Sequence, residues 1–288
     1  MIKFTEEISA APFRDRVVHH ALTGMVEPVF ERRFSPNSFA CRPGKGTHAA
    51  LDRAREGVRR CQFCLRGDIR KYFASIDHEL LNEMLARVVK CRPTLALVRL
   101  IIESGVEGDG PQWYFPGDDL FTPGQRKRGL PLGNQTSQFF ANVYLNRLDQ
   151  RIDREVRPVV WARYVDDWVL FDDSKARLRE VQDLVQAELT ELRLVAHAGK
   201  TRVHACREGI SFLGWRLLPE KTRLARQNVV ATQRRLRRLS AEWARGEIGW
   251  ERVKASVQAW IAHASYGDTV MLRRHLLDRT GFGPPGGS

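Results

Sequence analysis

The segment Tyr164-Val165-Asp166-Asp167 carries two adjacent carboxylates between two apolar runs, at 159–161 and 168–171. This pattern predicts two short strands joined by a tight turn, with the acids at the tip. Adjacent acids near apolar surface repel each other, and they stay ionised at low cost only if a cation lies between them. A hard divalent cation would serve, although a solvated turn is the simpler interpretation of two Asp residues taken alone.

The charge balance of the chain points to a nucleic-acid partner. Its 288 residues include 47 Lys and Arg against 34 Asp and Glu, a formal net charge of +13. A strongly basic protein without a membrane helix usually meets nucleic acid, and no apolar stretch in this sequence is long enough to cross a bilayer. The first residues lack the basic-then-apolar plan of a signal peptide. We therefore expect a cytoplasmic protein with no membrane partner.

Alternating strand and helix patterns predict an α+β fold, in which a central sheet is covered by helices on one face. Asp77 is the predicted N-cap of a helix with one apolar face. The other predicted segments are helices over 12–34, 48–60, 175–194 and from Arg226 to Asp278, a strand over 61–68, a hairpin from Gln112 to Phe121, and a loop from Gly129 to Asn134 followed by a helix to Asp149.

A further acid, Asp68, ends an apolar strand. A carboxylate at a strand end can converge with the tip of a neighbouring hairpin, so Asp68 is a candidate third ligand beside Asp166 and Asp167. The backbone carbonyl of Ile69 is a candidate fourth oxygen donor. For Asp68 taken alone, a cap or an ion pair with a neighbouring basic residue is the simpler interpretation.

A series of motifs gives this pattern a family resemblance. In chain order they are Asp68 with an aromatic residue five positions on, Gly129-Leu130-Pro131-Leu132-Gly133, Tyr164–Asp167, Lys200 in Ala198-Gly199-Lys200-Thr201, and Phe212-Leu213-Gly214-Trp215. The series resembles the ordered motifs of reverse transcriptases, and the segments 12–18 and 39–46 resemble the fingers motifs of their bacterial branch. The match covers about residues 10–220. Each motif is weak or moderate alone, and their order makes the set specific.

The resemblance implies a right-hand polymerase with helical fingers, a ferredoxin-like palm sheet and a basic helical thumb. It places part of the fingers at 1–60, the palm with fingers insertions at 61–220 and the thumb at 221–280. The Gly- and Pro-rich composition of residues 281–288 predicts a disordered tail. The implied activity is RNA-directed DNA synthesis from deoxynucleoside triphosphates. The implied nucleic-acid partners are a template RNA and the RNA/DNA hybrid made from it.

The resemblance also assigns roles around the incoming nucleotide. Asp68, Asp166 and Asp167 would hold two Mg²⁺ ions, with Mn²⁺ as a substitute, for phosphoryl transfer. Phe73 would lie under the sugar and exclude a 2′-hydroxyl, and Lys200 would protonate the leaving pyrophosphate. The implied nucleotide contacts are Arg14, Arg42, Lys45, Phe73, Leu132 and Gly133. Solvated surface positions are the alternative for the basic residues, and core packing for Phe73.

The remaining assignments concern primer and template. Between Lys221 and Arg245 there are eight basic residues and one acid, Glu242, a pattern typical of a helix that holds a duplex by its phosphates. A solvated helix face is the alternative, but so dense an arginine run repels itself without a polyanion. The implied contacts with primer or template are Ser137, Gln138, Tyr164, Phe212, Leu213, Gly214, Trp215, Arg234, Arg235 and Arg238.

The loop around Leu132 favours one branch of the family. Many reverse transcriptases have Gln where this chain has Leu132, and the segment 133–138 resembles the variant found in diversity-generating retroelements. Those enzymes copy a template RNA with frequent errors at adenines, usually together with a small basic accessory protein. Leu cannot hydrogen-bond the incoming nucleotide as Gln can, which would weaken geometric checking.

Other interpretations fit the same motifs. Group II intron-like, CRISPR-associated and phage-defence reverse transcriptases share them, and some relatives could be primed by protein or work without a template. A non-catalytic RNA-binding scaffold is a further class, but its acidic triad should be broken, whereas the triad here is intact. The chain begins almost at the first fingers motif. No maturase or endonuclease segment follows the thumb, which argues against a complete group II intron protein.

Overall fold

The computed structural model describes residues 11–105, 112–131 and 133–282. The chain divides into two compact units, residues 1–57 with 61–204, and residues 58–60 with 205–288. The predicted boundary between palm and thumb at 220 differs from this division and stays a prediction. Residues 283–288 of the predicted tail lie outside the described residues. Within the described ranges, no helix is long and apolar enough to cross a membrane.

Helices form most of the first unit, and their starts follow local sequence signals. The predicted N-cap Asp77 is confirmed, because its carboxylate accepts a hydrogen bond from the Leu80 N–H at 3.1 Å. The helices are α1 (Phe13–Glu31), α2 (Thr47–Arg60), α3 (Tyr72–Ser75), α4 (His78–Val88), α5 (Arg92–Glu103), α6 (Thr122–Gln125), α7 (Gln135–Arg151), extended by a π-helical turn (Ile152–Val156), and α8 (Lys175–Glu191).

One four-stranded sheet organises the first unit. Its strands are β1 (Phe63–Gly67), β2 (Val160–Tyr164), β3 (Asp167–Asp172) and β4 (Arg202–Ala205), in the order β2-β3-β1-β4. Strand β3 pairs antiparallel with both β1 and β2. Helix α7 lies between β1 and β2 in the chain, and α8 lies between β3 and β4, which is the βαββαβ order of a ferredoxin-like sheet. The predicted α+β fold with this sheet is confirmed.

The sheet is buried on both faces, so the expectation of helices on one face only is wrong. Leu65, Trp168 and Leu170 belong to one core, and α8 packs on β1 and β3. On the opposite face α2 approaches so closely that a Cβ on Gly57 would lie 2.3 Å from the Phe171 ring. The continuous apolar run 168–171 reflects this burial, because a strand covered on both faces loses its alternation.

The hairpin predicted from Gln112 to Phe121 is also wrong, because these residues form no strand. Asp118 and Asp119 bind the backbone of their own segment instead. The Asp118 carboxylate accepts from the Phe115 N–H at 2.7 Å, and the Asp119 carboxylate accepts from the Thr122 N–H at 2.7 Å. Such local side-chain bonds form compact turns and compete with strand pairing.

The second unit combines a small sheet with three helices. Strands β5 (Ile210–Phe212), β6 (Trp215–Leu217) and β7 (Thr222–Leu224) form an antiparallel sheet in that order. Helices α9 (Arg226–Ala244), α10 (Trp250–Ala264) and α11 (Val270–Thr280) follow, and α9 packs against both others. The Trp215 ring is fully buried and lies 5.2 Å from the Tyr266 ring, so sheet and helices share one core.

Candidate active site

The strand register brings Asp68 next to Asp167. Gly67, the last residue of β1, pairs with Trp168 on the antiparallel strand β3. Asp68 follows Gly67 in the chain and Asp167 precedes Trp168, so the two acids come at the same end of the pair. Gly67 permits this arrangement, because a Cβ there would lie 1.9 Å from the Trp168 ring. The indole therefore lies against the backbone of β1 at Gly67, one residue before Asp68.

Asp166 and Asp167 lie at the tip of the β2–β3 hairpin, as predicted. Tyr164 pairs with Asp167 across the ladder, which leaves Val165 and Asp166 to make the turn. Val165 has a φ of 57°, a left-handed conformation that is strained for a β-branched residue. Strain at this position must be held by the surrounding structure.

Arg163 supplies that support from the core. Its Nη1 donates to the Val165 carbonyl at 2.8 Å, and its Nε and Nη2 donate to the Asp149 carboxylate at 2.7 and 2.5 Å. Nη2 also donates to the Ser38 hydroxyl at 2.9 Å. The Arg163 and Asp149 side chains are fully buried, so this ion pair fastens the hairpin turn to α7.

Burial and the charge of Asp68 raise the proton affinity of the two acids of the hairpin. Burial first, and then the charges of Asp68 and Asp167, raise the pKa of Asp166 to about 6, although Lys200 opposes the shift. Burial and the charge of Asp68 raise the pKa of Asp167, while Arg66 lowers it. The site therefore holds negative charge that the protein compensates only in part.

Two basic side chains supply that partial compensation. The Lys200 ammonium donates to the Asp68 carboxylate at 2.7 Å. The Arg66 guanidinium lies 3.4 Å from the Asp167 carboxylate. Both acids are mostly buried, whereas Lys200 is about half exposed, at 47%. Solvent at the half-exposed ammonium weakens this pair, whereas loss of Lys200 without a replacement cation would leave the mostly buried Asp68 carboxylate uncompensated.

The donor chemistry of the site fits a hard divalent cation. Its donors are carboxylate oxygens, which Mg²⁺ and Mn²⁺ prefer, and a bound cation would relieve the repulsion that raises the pKa of Asp166. Within the three described ranges, no group of three or more His, Cys, Asp or Glu side chains has the geometry to hold a metal ion. The predicted ligands are thus close but not preassembled, since Lys200 and Arg66 occupy two of them. Ile69, whose carbonyl is the predicted fourth donor, is buried, and its backbone forms an isolated antiparallel β-bridge with Ala196.

Phe73 and the loop from Gly129 are joined through the backbone. The Leu130 N–H donates to the Phe73 carbonyl at 2.9 Å, and the Gly129 N–H donates to the Ile76 carbonyl at 2.9 Å. The Phe73 ring is half-buried and meets the Tyr72 ring edge-on at 5.6 Å. Gly133 is exposed with a φ of 109°. Leu132 lies outside the described residues.

The basic residues predicted to contact the nucleotide differ in how strongly other residues of the protein bind their side chains. Arg14 is exposed in the first turn of α1. Arg42 bonds Glu31 with both Nε and Nη2, donates to the Ser38 carbonyl at 2.7 Å, and is 5% exposed. The Lys45 ammonium donates to the Pro36 carbonyl at 2.6 Å. Nucleotide contacts by these residues stay predictions, and Arg42 would have to give up a buried ion pair.

The residues assigned to primer and template fall in both units. In the first unit Ser137 is buried, Gln138 is exposed, and the Tyr164 hydroxyl accepts from the Thr47 hydroxyl at 3.1 Å. In the second unit Phe212 pairs with Trp215 across a two-residue turn, in which Leu213 and Gly214 both have positive φ. Arg234, Arg235 and Arg238 are exposed on α9. The Arg235 guanidinium donates to the Ser256 hydroxyl at 2.6 Å, and Arg238 lies 3.4 Å from Glu242.

Two residues that touch the site were missed by the sequence analysis. Arg66 pairs with Asp167, and Arg163 holds the turn. A signal for Arg163 was present, because an arginine between apolar residues of a buried strand must find an acid inside the protein. Its partner Asp149 lies on the buried face of α7 with Leu145 and Leu148, which is the same signal on the other side.

The comparisons with known proteins concern the family and the fold of the chain. A family model described as "Reverse transcriptase (RNA-dependent DNA polymerase)" matches residues 5–217. Protein YkfC of Escherichia coli strain K12 is 26% identical over 257 residues, covering 76% of this chain and 65% of YkfC. The group II intron-encoded protein LtrA of Lactococcus lactis subsp. cremoris is 25% identical over 138 residues, covering 48% of this chain and 21% of LtrA. The chain thus spans less than two thirds of each of these relatives.

Solved structures support the fold alone. An apo telomerase from Candida tropicalis is 14% identical and superposes with a TM-score of 0.52, covering 72% of this chain and 40% of the telomerase chain. The mixture of helices and sheet in this chain is consistent with the right-hand fold of reverse transcriptases. Because the family model spans well over half of the sequence, the chain belongs to the reverse transcriptase (RNA-dependent DNA polymerase) family.

Proposed function

We propose that this chain is an RNA-directed DNA polymerase that extends a primer on a template RNA with deoxynucleoside triphosphates. The observation that carries the proposal is the meeting of Asp68 with Asp166 and Asp167 at adjoining strand ends, in a chain of the reverse transcriptase family. Burial, and after it the charge of Asp68, raise the pKa of Asp166 and Asp167, and buried acids with raised pKa values are typical of functional sites.

Reverse transcriptases generally use divalent metal ions, and we propose Mg²⁺ here, with Mn²⁺ able to replace it. Two ions held by Asp68, Asp166, Asp167 and the Ile69 carbonyl would lower the charge barrier between the primer 3′-hydroxyl and the triphosphate. The hairpin turn held by Arg163 would keep two of the carboxylates in place, so that little reorganisation is needed during the reaction.

Other side chains of the first unit would select and position the nucleotide. Phe73 would exclude a 2′-hydroxyl by a steric clash, with its backbone held to Leu130. Lys200 would pass from its ion pair with Asp68 to the pyrophosphate leaving group and donate a proton there. The exposed guanidinium of Arg14 would contact the triphosphate or template, together with Arg42, Lys45, Leu132 and Gly133.

The template and primer would be held largely by charge and shape. In the first unit Ser137, Gln138 and Tyr164 would contact the strands near the nucleotide. In the second unit the hairpin turn 212–215 would grip the primer, and Arg234, Arg235 and Arg238 on α9 would contact phosphates. These contacts would carry no sequence preference, as a polymerase that moves along its template requires.

The decisive experiment is primer extension on an RNA template with Mg²⁺ and deoxynucleoside triphosphates, comparing wild type with Asp166→Asn. We expect synthesis to fall to background, because the amide keeps the shape but removes the negative charge. RNA binding should stay nearly unchanged. Asp183→Asn is the matched control, because Asp183 is exposed on α8 and touches none of the acids. Full activity of Asp166→Asn would contradict the assignment of the acids.

We further propose that the polymerase is error-prone at template adenines, as in diversity-generating retroelements, with a small basic accessory protein as partner. Support comes from the residues of the 132–138 loop. Leu132→Gln should lower misincorporation opposite adenine, because Gln can hydrogen-bond the incoming nucleotide. Sequencing the cDNA of both proteins measures this, and an unchanged error spectrum would remove Leu132 from the fidelity argument.

A faithful reverse transcriptase of the group II intron type is the second candidate. The similarity to a group II intron-encoded protein favours it. The same cDNA sequencing separates the two candidates, because errors concentrated at adenines support the retroelement type and a low, even error rate supports the intron type.

A further inference from the structure

A cavity of about 560 Å³ lies in the first unit between the end of α1, helix α4 and helix α7. Residues 30 and 32–34, the second half of α4, the second half of α7 and Arg154 in the π-helical turn line it. None of the three acids of the candidate active site is among its lining residues. The cavity therefore belongs to a different surface of the same unit, for which neither the family resemblance nor the proposed chemistry gives a role.

Arginines dominate the rim of the cavity. They are Arg32, Arg33, Arg87, Arg147 and Arg154. Arg147 pairs with Glu188 at 2.7 Å, and Arg87 lies 3.9 Å from Glu83. The other three are exposed and form no side-chain hydrogen bond or ion pair with any residue of the described ranges. Uncompensated cations on one rim repel one another, and a bound polyanion would relieve that repulsion.

The floor of the cavity has a different chemistry from its rim. It is apolar, formed by Phe30, Phe34, Met84 and Val88. One polar group joins it, because the side-chain carbonyl of Asn146 is buried without a hydrogen-bond partner among the described residues. A buried acceptor without a donor is costly, so a ligand that brings an N–H donor and a flat apolar surface would complete this floor.

We propose that this cavity binds a segment of single-stranded RNA, with phosphates on the arginine rim and a base on the apolar floor. Arginine forks bind phosphate oxygens in a bidentate manner, and a base brings both an apolar face and N–H donors. A duplex keeps its bases stacked and could not fill the floor. An acidic peptide could donate a backbone N–H to Asn146, but its carboxylate side chains bring no apolar surface for the floor, which disfavours an acidic protein segment. The choice of RNA rests on the proposed function.

The test removes two rim charges and compares them with two charges elsewhere on the same unit. Arg33→Gln/Arg154→Gln is the cavity variant, and Arg99→Gln/Arg179→Gln is the control, since those two arginines are exposed and line no part of the cavity. Binding of a labelled single-stranded RNA is titrated at several salt concentrations, without Mg²⁺ or nucleotides. Because no polymerisation takes place, failure of the proposed polymerase activity would not affect this result.

We expect the cavity variant to bind RNA more weakly than the control. Its plot of log affinity against log salt should be shallower than that of wild type by about 1.4, from two phosphate contacts at about 0.7 each. Equal losses in the two variants would overturn the proposal, because net charge alone would then explain them. A polyglutamate peptide serves as the second probe. Loss of peptide binding with RNA binding retained would also overturn the proposal and identify an acidic protein partner.

Discussion

His78 shows at the residue scale how a buried titratable group holds the loop that begins at Gly129. Its Nε2–H donates to the Gly129 carbonyl at 2.7 Å, and its Nδ1 is buried without a partner among the described residues. A proton on Nδ1 would therefore be an unsatisfied buried donor. Burial lowers the pKa of His78 below its usual 6.5, so the folded protein keeps the imidazole neutral.

This shift predicts a pH dependence of stability. Below about pH 6.5 the unfolded chain binds a proton at His78 that the folded chain does not, so His78 should lower the free energy of unfolding as pH falls from 7.5 to 5.5. The raised pKa of Asp166 acts in the opposite direction and offsets part of this fall. His78→Gln should cost about 1 kcal/mol at pH 7.5 through the lost hydrogen bond and should show a smaller fall with pH. Urea unfolding at both pH values measures this.

The exposed His20 provides the control for that measurement. In His20→Gln the free energy of unfolding should keep most of its wild-type dependence on pH. Some dependence should also survive in His78→Gln, because burial lowers the pKa of His19 in the same direction. If His78→Gln retained the full wild-type fall between pH 7.5 and 5.5, protonation of His78 would not be linked to folding.

At the scale of elements, the ion pair of Arg163 and Asp149 connects the β2–β3 hairpin to α7. Burial raises the pKa of Asp149, and the adjacent guanidinium lowers it. Breaking a buried pair leaves the remaining charge without compensation, which costs more than the pair itself contributes. The pair also holds the Val165 carbonyl at the turn, so stability and the placement of the acids should change together.

We predict that Arg163→Met lowers the free energy of unfolding by about 3–5 kcal/mol, because Asp149 is then buried without a partner. Arg163→Met/Asp149→Leu should recover much of that loss. Primer extension should nevertheless stay low in the double variant, because the Val165 carbonyl has lost its donor. Urea unfolding and primer extension of all three variants test this. Equal stabilities of the single and double variants would rule out an uncompensated charge as the cause.

At the scale of the whole molecule, the excess of basic residues predicts binding that depends on salt. The net charge is +13, and α9 presents Arg234, Arg235 and Arg238 on its exposed surface. Leu236 and Leu239 on the same helix are buried, so α9 turns its apolar stripe inward, as its sequence predicts. Phosphate contacts release counterions, and each one steepens the salt dependence of binding.

We expect Arg234→Gln/Arg235→Gln/Arg238→Gln to weaken binding of an RNA/DNA hybrid at low salt. The slope of log affinity against log salt should be shallower by about 2–3, from three contacts at about 0.9 each. Lys175→Gln/Arg99→Gln/Arg179→Gln removes the same charge from the first unit and should change the slope less. Equal slopes in the two triple variants would show that the hybrid does not bind along α9.

The sequence by itself was sufficient for the strand–turn–strand with acids at its tip, the N-cap at Asp77 and the basic helix α9. Each of these features depends on residues close together in the sequence, so local patterns predict them. The order of the motifs was also sufficient for the family. The local pattern gave a wrong prediction for residues 112–121. There, hydrogen bonds from the backbone to Asp118 and Asp119 form turns in place of the expected strand pairing.

Only the tertiary structure decided which charges meet. Asp68 is paired with Lys200, 132 positions away, and Arg163 with Asp149 across the boundary between a strand and a helix. The sequence also did not predict that the sheet is covered on both faces, or that arginines surround the cavity. Each of these features depends on how separate elements pack. Periodicity reports which face of an element is buried, whereas the partner of a buried charge is set by the path of the whole chain.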